Sequence, residues 1–333
     1  MSAAPAPTSY AIDGVDLPVY DNRVAFAETL IELARNDERI VAVCNDSVGS
    51  SNLGAFKAEF PERLINVGIA EQNMVGVGAG LANAGMIPFV CAAGPFLSGR
   101  ATEQIKADVA YSGFPVILCA MSPGMAYGEL GPTHHSVEDL SWMRALPNLD
   151  ILVPADEFET RAAVRWATET KRGVYLRVGR HKVPNVYAVE PQIVPGASRE
   201  LRAGNDVTIV AIGSMVSRAL AAAAHLNERG VSARVINMSF VAPLDEVAIE
   251  RAARETAVIV TVEEANVSGG LGSAVASLVA SMSGSKAVLR IVGTDDWSPT
   301  LSTDGLYEHF GLTAENISLQ ALDALAAQVA ARG

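Results

Sequence analysis

What this chain of 333 residues has little of narrows its function first. It holds three cysteines, Cys44, Cys91 and Cys119, all in apolar segments and none in C-x-x-C spacing. That excludes a disulfide framework and a zinc site, and it fits a reduced, cytoplasmic protein. Lys and Arg together number 25 against 37 Asp and Glu, a formal net charge of -12. No basic run is long enough to follow a nucleic-acid backbone, so nucleic acid is not an expected partner. The imbalance does not exclude a small anion, because a local arginine or a helix N-terminus holds phosphate against an acidic background. No apolar stretch reaches bilayer length, and Val207 to Ile212, bounded by polar residues and glycine, is typical. Residues 1–18 are rich in Ala, Pro and Ser but lack a basic cluster followed by an apolar run, so they read as a flexible arm and not a signal peptide. Nothing repeats at a period of about 20 to 50 residues, which excludes a solenoid.

What is present is ample core material. Half the residues are hydrophobic and 19% are charged, enough for two globular domains. From Asn22 to Arg35, Val24, Phe26, Leu30, Ile31 and Leu33 recur at helical spacing, and Ile40 to Val43 is a continuous apolar run of the kind buried in a parallel strand. Ile65 to Val67, Ile87 to Cys91, Val116 to Met121 and Ile151 to Val153 repeat that run, with helical patterns at 71–85, 100–113, 136–145 and 157–170. Val183 to Gly204, with prolines at 184, 191 and 195, reads as a linker. Beyond it, strands at Asp206 to Ile212, Ala233 to Met238, Val258 to Val262 and Ala287 to Ile291 alternate with helices at Val216 to Arg229, Leu244 to Arg254 and Ser273 to Ser281. Alternation of this kind predicts parallel sheets covered on both faces. The expected fold is therefore α/β, two doubly wound parallel-sheet domains at 19–186 and 204–333 joined by a linker at 187–203.

The most informative segment is Asn66-Val67-Gly68-Ile69-Ala70-Glu71-Gln72-Asn73, which leaves a predicted strand and enters a glycine-rich helix. An acid there sits at a strand end, where α/β sheets place ligands. From its chemistry alone, Glu71 is most simply an N-terminal helix carboxylate stabilised by the helix dipole. The glycines do not spell G-x-G-x-x-G, since Leu81 and Asn83 fall where the last glycine belongs, and close helix packing explains Gly76 and Gly80 equally well.

A family resemblance changes that balance. Gly68-Ile69-Ala70-Glu71-Gln72-Asn73 resembles the pyrimidine-domain signature of transketolases, including those encoded as two subunits. Gly128-Glu129-Leu130-Gly131-Pro132-Thr133-His134-His135 resembles their G-E-D-G-P-T-H segment. Arg144 to Leu149, Val153 to Asp156, Val262-Glu263-Glu264 and Ser268 to Gly272 continue the similarity, which runs from about residue 20 to the end. The resemblance implies that Glu71 bonds the ring nitrogen of the aminopyrimidine of thiamine diphosphate, favouring the imino tautomer that takes the thiazolium proton. A carboxyl group suits that role because its proton affinity is tunable in a low-dielectric site. It also implies that Phe96 stacks on the pyrimidine, with Arg100 of the same Gly94 to Arg100 segment beside the cofactor, and that His134 contacts substrate oxygens near the reacting carbon. His135, where the family commonly has glutamine, reads as a structural or supporting residue.

The departures from the family pattern fall on the sugar-reading side. The acid of G-E-D-G-P-T-H is Leu130, which cannot accept a hydroxyl hydrogen bond. A histidine common eight positions earlier is Ser122, and a family tyrosine beyond Phe96 is Thr102. Arg23 and Arg180 remain candidate phosphate or sulfonate ligands, since a planar guanidinium pairs two oxygens at once. The expected substrate is therefore a modified ketose, phosphorylated or otherwise anionic. Ser268 to Gly272 reads as a tight turn into a helix and not a phosphate loop, for it lacks G-x-x-x-x-G-K-[ST].

The G-D-G segment by which such enzymes hold the diphosphate through Mg2+ or another divalent ion is missing from the sequence. The expectation is a partner, an N-terminal transketolase subunit carrying the diphosphate and metal site, in an alpha2beta2 assembly outside which this chain is inactive. The implied reaction transfers a two-carbon ketol unit from a ketose to an aldehyde. The alternatives are the beta subunit of a 2-oxoacid dehydrogenase decarboxylating component, or a scaffold subunit that has lost catalysis. The Gly128 to His134 segment opposes the first, and the set Glu71, Phe96 and His134 opposes the second.

Overall fold

The computed structural model describes residues 9–284 and 287–330. Strands β1 (Ser9–Ile12) and β2 (Val15–Tyr20) form an antiparallel hairpin closed by Asp13 and Gly14 at φ 50° and 75°. Two successive left-handed residues are what a two-residue hairpin turn demands, and Asp-Gly supplies them. The described part of the expected flexible arm, residues 9–18, is thus paired structure, while residues 1–8 lie outside the described residues.

There follow α1 (Asn22–Asn36), β3 (Ile40–Cys44), α2 (Gly54–Glu59), β4 (Leu64–Asn66), α3 (Glu71–Asn83), β5 (Ile87–Ala93), α4 (Thr102–Gln104), β6 (Ile117–Met121), α5 (Asp139–Arg144), β7 (Leu149–Leu152), α6 (Glu157–Glu169) and β8 (Gly173–Val178). The strands run parallel in the order β7-β8-β6-β5-β3-β4. β3, β6, β7 and β8 are buried along their whole length, which is why their sequences are continuously apolar and do not alternate. Phe26, Leu30 and Val164 of α1 and α6 pack one face, and Met74, Val75, Leu97 and Ile105 pack the other. The helix expected at 100–113 is instead short α4 between two π-helical turns, Phe96–Arg100 and Ile105–Tyr111. Such widened turns recur at functional sites.

The second half comprises β9 (Val183–Pro184), β10 (Arg199–Arg202), β11 (Val207–Ala211), α7 (Met215–Glu228), β12 (Ala233–Asn237), β13 (Phe240–Ala242), α8 (Glu246–Glu255), β14 (Val258–Asn266), α9 (Leu271–Ser281), β15 (Val288–Thr294), α10 (Thr303–His309) and α11 (Ala314–Ala330). Its sheet runs β10-β12-β11-β14-β15, parallel except for β10. Leu226 of α7 and Ile317 of α11 pack one face, while Ile249, Leu271 and Val275 of α8 and α9 join the same apolar core as Met74 and Leu97.

Three elements depart from the expected division. β9 pairs with β2, β10 turns the end of the linker into a sheet edge, and β13 pairs antiparallel with β7 of the other sheet. The cause of the last is local. Buried Glu159 of α6 accepts from Asn237 Nδ2 at 3.0 and 2.9 Å and from Ser239 Oγ, and Val153 N donates to Ser239 O at 2.8 Å. These bonds pin the chain after β12 against the first domain.

Candidate active site

β4 ends at Asn66, whose Oδ1 accepts from Gly68 N at 2.9 Å across a turn that needs φ +74° at Gly68. The chain then enters α3 with Glu71 as its first residue. The Glu71 side chain is 3% exposed, and its Oε1 accepts from Asn45 Nδ2 at 2.8 Å and from Arg100 Nη1 at 2.9 Å. Both donors are side chains of other elements: Asn45 follows β3, and Arg100 closes the first π-helical turn. Packing explains only one of the helix glycines. A Cβ on Gly78 would stand 2.5 Å from Val90, whereas Gly76 meets only Asp108 at 3.8 Å and Gly80 meets nothing within 4 Å.

The expected aromatic stands beside this carboxylate. The Arg100 guanidinium carbon lies 4.1 Å from the Phe96 ring centroid, so one group spans the ring and Glu71. His134 meets Phe96 edge-on at 5.2 Å and Tyr127 at 6.0 Å, and the Arg180 guanidinium lies 5.3 Å from the Tyr127 centroid. Thr133 Oγ1 lies 3.0 Å from His134 Nδ1 and sets the ring's direction. Glu71, Arg100, Phe96, His134 and Arg180 therefore form one connected series. Asn45 and Tyr127 belong to it and escape motif reading. Asn45 had a signal in its place just past a buried strand, but Tyr127 had none beyond its neighbour Gly128.

The other expected residues stand differently. Arg23 is taken up by its own turn: Nε and Nη2 reach Asp21 at 3.0 and 2.6 Å, and Nη1 reaches Ser50 O at 2.9 Å. Its charge is answered internally, unlike that of Arg180, which has no ion pair among the described residues. Ser122 is buried at φ 55°, and its hydroxyl has no hydrogen-bond partner among the described residues. Leu130 is 55% exposed.

The loop that carries Leu130 and His134 is held by the second domain. Glu264, at the end of β14, accepts from Met125 N at 2.7 Å and from Ser214 Oγ at 2.6 Å, and a Cβ on Gly124 would strike its carboxylate. Thr303 Oγ1 donates to Met125 O at 3.3 Å. His135 bridges Gly128 O at 2.9 Å and Ser298 Oγ at 2.6 Å. A carbonyl only accepts, so His135 Nε2 donates to Gly128 O while Nδ1 faces Ser298 Oγ; burial lowers the imidazole pKa, against the pull of the Gly128 carbonyl. His135 thereby ties the loop to the segment at Ser298.

Ser268 to Gly272 is the tight turn expected, with Gly269 at φ +92°. The neighbouring Glu263 carboxylate accepts from Leu271 N at 2.6 Å and Gly272 N at 2.7 Å, so the N-terminus of α9 is already filled from inside the chain. Burial pushes the Glu263 carboxyl up to about 7, against the pull of those two amides.

The transketolase pyrimidine-binding domain model matches residues 19–185, and the transketolase C-terminal domain model matches 196–317. The chain belongs to the transketolase family. This transketolase chain is 42% identical over 303 residues to one of the subunits of the apulose-4-phosphate transketolase of Phocaeicola vulgatus, covering 90% of this chain and 96% of that one. It is 40% identical over 296 residues to a 6-deoxy-6-sulfo-D-fructose transketolase subunit of Clostridium sp., covering 89% and 91%. A split-gene transketolase, solved as an inactive beta4 tetramer, superposes with a TM-score of 0.85 at 39% identity, covering 92% of this chain and 98% of that one. The chain is thus a transketolase subunit made of the pyrimidine-binding and C-terminal domains. Among the described residues no helix is long and apolar enough to cross a membrane.

Membership implies thiamine diphosphate, and the site fits one end of it. The space between Glu71 and Phe96 accepts a flat group carrying N–H donors, because the Arg100 guanidinium lies there, bonded to the one and stacked on the other. An aminopyrimidine is flat in the same way and would meet Glu71 at its ring nitrogen, which accepts the carboxyl proton or, once protonated, donates.

Proposed function

We propose that this chain is the pyrimidine-binding subunit of a two-polypeptide transketolase that moves a two-carbon ketol unit from an anionic ketose to an aldehyde. The observation that carries the reading is the Glu71 carboxylate, buried at a sheet's carboxyl end and bonded by removable side chains beside the Phe96 face. Thiamine diphosphate supplies, when bound, the carbon nucleophile that this chemistry needs. Glu71 holds a proton at the pyrimidine ring nitrogen, and Asn45 fixes the carboxylate's direction. Phe96 sets the plane of the ring and covers it from water. His134, aimed by Thr133, donates to and takes protons from oxygens on the carbon that forms or breaks a bond.

The diphosphate and its divalent ion belong to a partner carrying the G-D-G segment this sequence lacks, in an alpha2beta2 assembly. The Phocaeicola relative is itself one of the subunits of its enzyme, which supports a second polypeptide here. The relatives that act on a phosphorylated and a sulfonated sugar support an anionic ketose. Arg180, beside Tyr127 and with no ion pair among the described residues, is the cation we assign to reading it. Leu130 removes the acid that would read a hydroxyl, so the substrate offers none there. Free, buried Cys44, Cys91 and Cys119 support a reducing, cytoplasmic setting.

The test is a ketose panel on the reconstituted pair, read by transfer to an aldehyde and by carbon dioxide release from 2-oxoacids. Phosphorylated or sulfonated ketoses should react and the neutral sugars fall behind, with Arg180→Ala erasing the difference. Release of carbon dioxide without ketol transfer would favour the dehydrogenase reading, and neither activity would favour a scaffold.

A further inference from the structure

Arg100 makes two contacts that one planar group can make only from one place. Its guanidinium lies 4.1 Å over the Phe96 ring, and its Nη1 donates to Glu71 Oε1 at 2.9 Å. Any ring that stacks on that face while bonding that carboxylate needs the same volume. The anchoring is also releasable. The Arg100 side chain is 49% exposed, and Glu71 is its one ion-pair partner among the described residues. Once it leaves, Asn45 Nδ2 at 2.8 Å still holds Glu71 in place. A lysine could keep the charge but could not lie flat on the ring.

We infer that Arg100 is a positioning residue that stands in for the cofactor's aminopyrimidine, keeping Glu71 and Phe96 in their working geometry and swinging aside when the ring binds. This reverses the sign expected of a residue that grips the cofactor. Removing a gripping residue weakens binding; removing a competitor for the seat strengthens it. The inference rests on the assignment of Glu71 and Phe96 to the pyrimidine, and its test keeps the two apart.

The experiment measures the Kd of thiamine diphosphate with Mg2+ for the reconstituted pair by calorimetry, alongside the Tm of the same pair without cofactor. Arg100→Ala should bind about tenfold tighter and melt lower without cofactor, the combined effect of one ion pair and one cation–π contact. Arg100→Lys should fall between Arg100→Ala and the parent chain. Phe96→Ala and Glu71→Gln should both bind more weakly. If those two leave Kd unchanged, the pocket assignment fails. If they weaken it while Arg100→Ala weakens it too or leaves it unmoved, the pocket stands and the role given to Arg100 is overturned.

Discussion

The two domains each place a glutamate near a helix start at the carboxyl end of a parallel sheet, and they use it in opposite ways. In the second domain Glu263 turns inward: both its oxygens accept the backbone amides of α9, which no ligand can displace without breaking the helix start. In the first domain Glu71 heads α3, yet its carboxylate is met by the side chains of Asn45 and Arg100. Both carboxyls are almost fully buried. Burial and helix position therefore do not separate an acid that caps a helix from the acid proposed to meet a cofactor. The nature of the partners does, because side chains can be exchanged for a ligand and helix amides cannot.

The largest effect should come from exchanging the acids. Glu71→Gln should cut ketol transfer by the reconstituted pair by about 1,000-fold or more while leaving its circular dichroism unchanged. Glu263→Gln should leave the rate near that of the parent chain and lower the Tm. His134→Ala, at the position proposed to serve the reacting carbon, should lower kcat/KM about 100-fold, whereas His135→Ala should act through stability, measured as a lower denaturation midpoint.

Backbone substitutions sharpen the contrast. A methyl on Gly270 would collide with the Glu263 carboxylate and stand 2.9 Å from Asn266 O, so Gly270→Ala should cost about 1–3 kcal/mol in urea unfolding. The pH response belongs to the same acid. With its pKa raised in the folded state to about 7 from the ordinary 4.5, Glu263 contributes stability that is complete below 4.5 and lost as pH rises through about 7. Thermal melts across that window should therefore decline with pH, and Glu263→Gln should flatten the decline. The smallest effect should be at Gly80, where a Cβ meets nothing within 4 Å. Gly80→Ala should stabilise the isolated chain by about 0.5–1 kcal/mol through helix propensity.

Much of this layout was legible in the sequence because continuous apolar strands and helical spacing reflect burial directly. The hairpin was legible too, through Asp13-Gly14, but reading residues 1–18 by composition hid it. β13 was not, since three residues paired across a domain boundary have no period of their own. The π-helical turns around Phe96 and Arg100 keep the apolar spacing of an ordinary helix, so only coordinates separate them. Glu71, Phe96 and His134, which the structure brings together, were singled out through family motifs. The Asp21 that pairs with Arg23 is unremarkable in sequence, so that pairing was not legible there, and Asn45 and Tyr127 became visible only when the strand ends were brought together.

The most direct measurement adds increasing amounts of the partner carrying the G-D-G segment to a fixed quantity of this chain, with thiamine diphosphate, Mg2+, an anionic ketose and an aldehyde present, and follows ketol transfer. The expected result is no turnover by either polypeptide alone and a rate that rises to saturation at equal numbers of the two chains. Turnover by this chain alone would contradict the account.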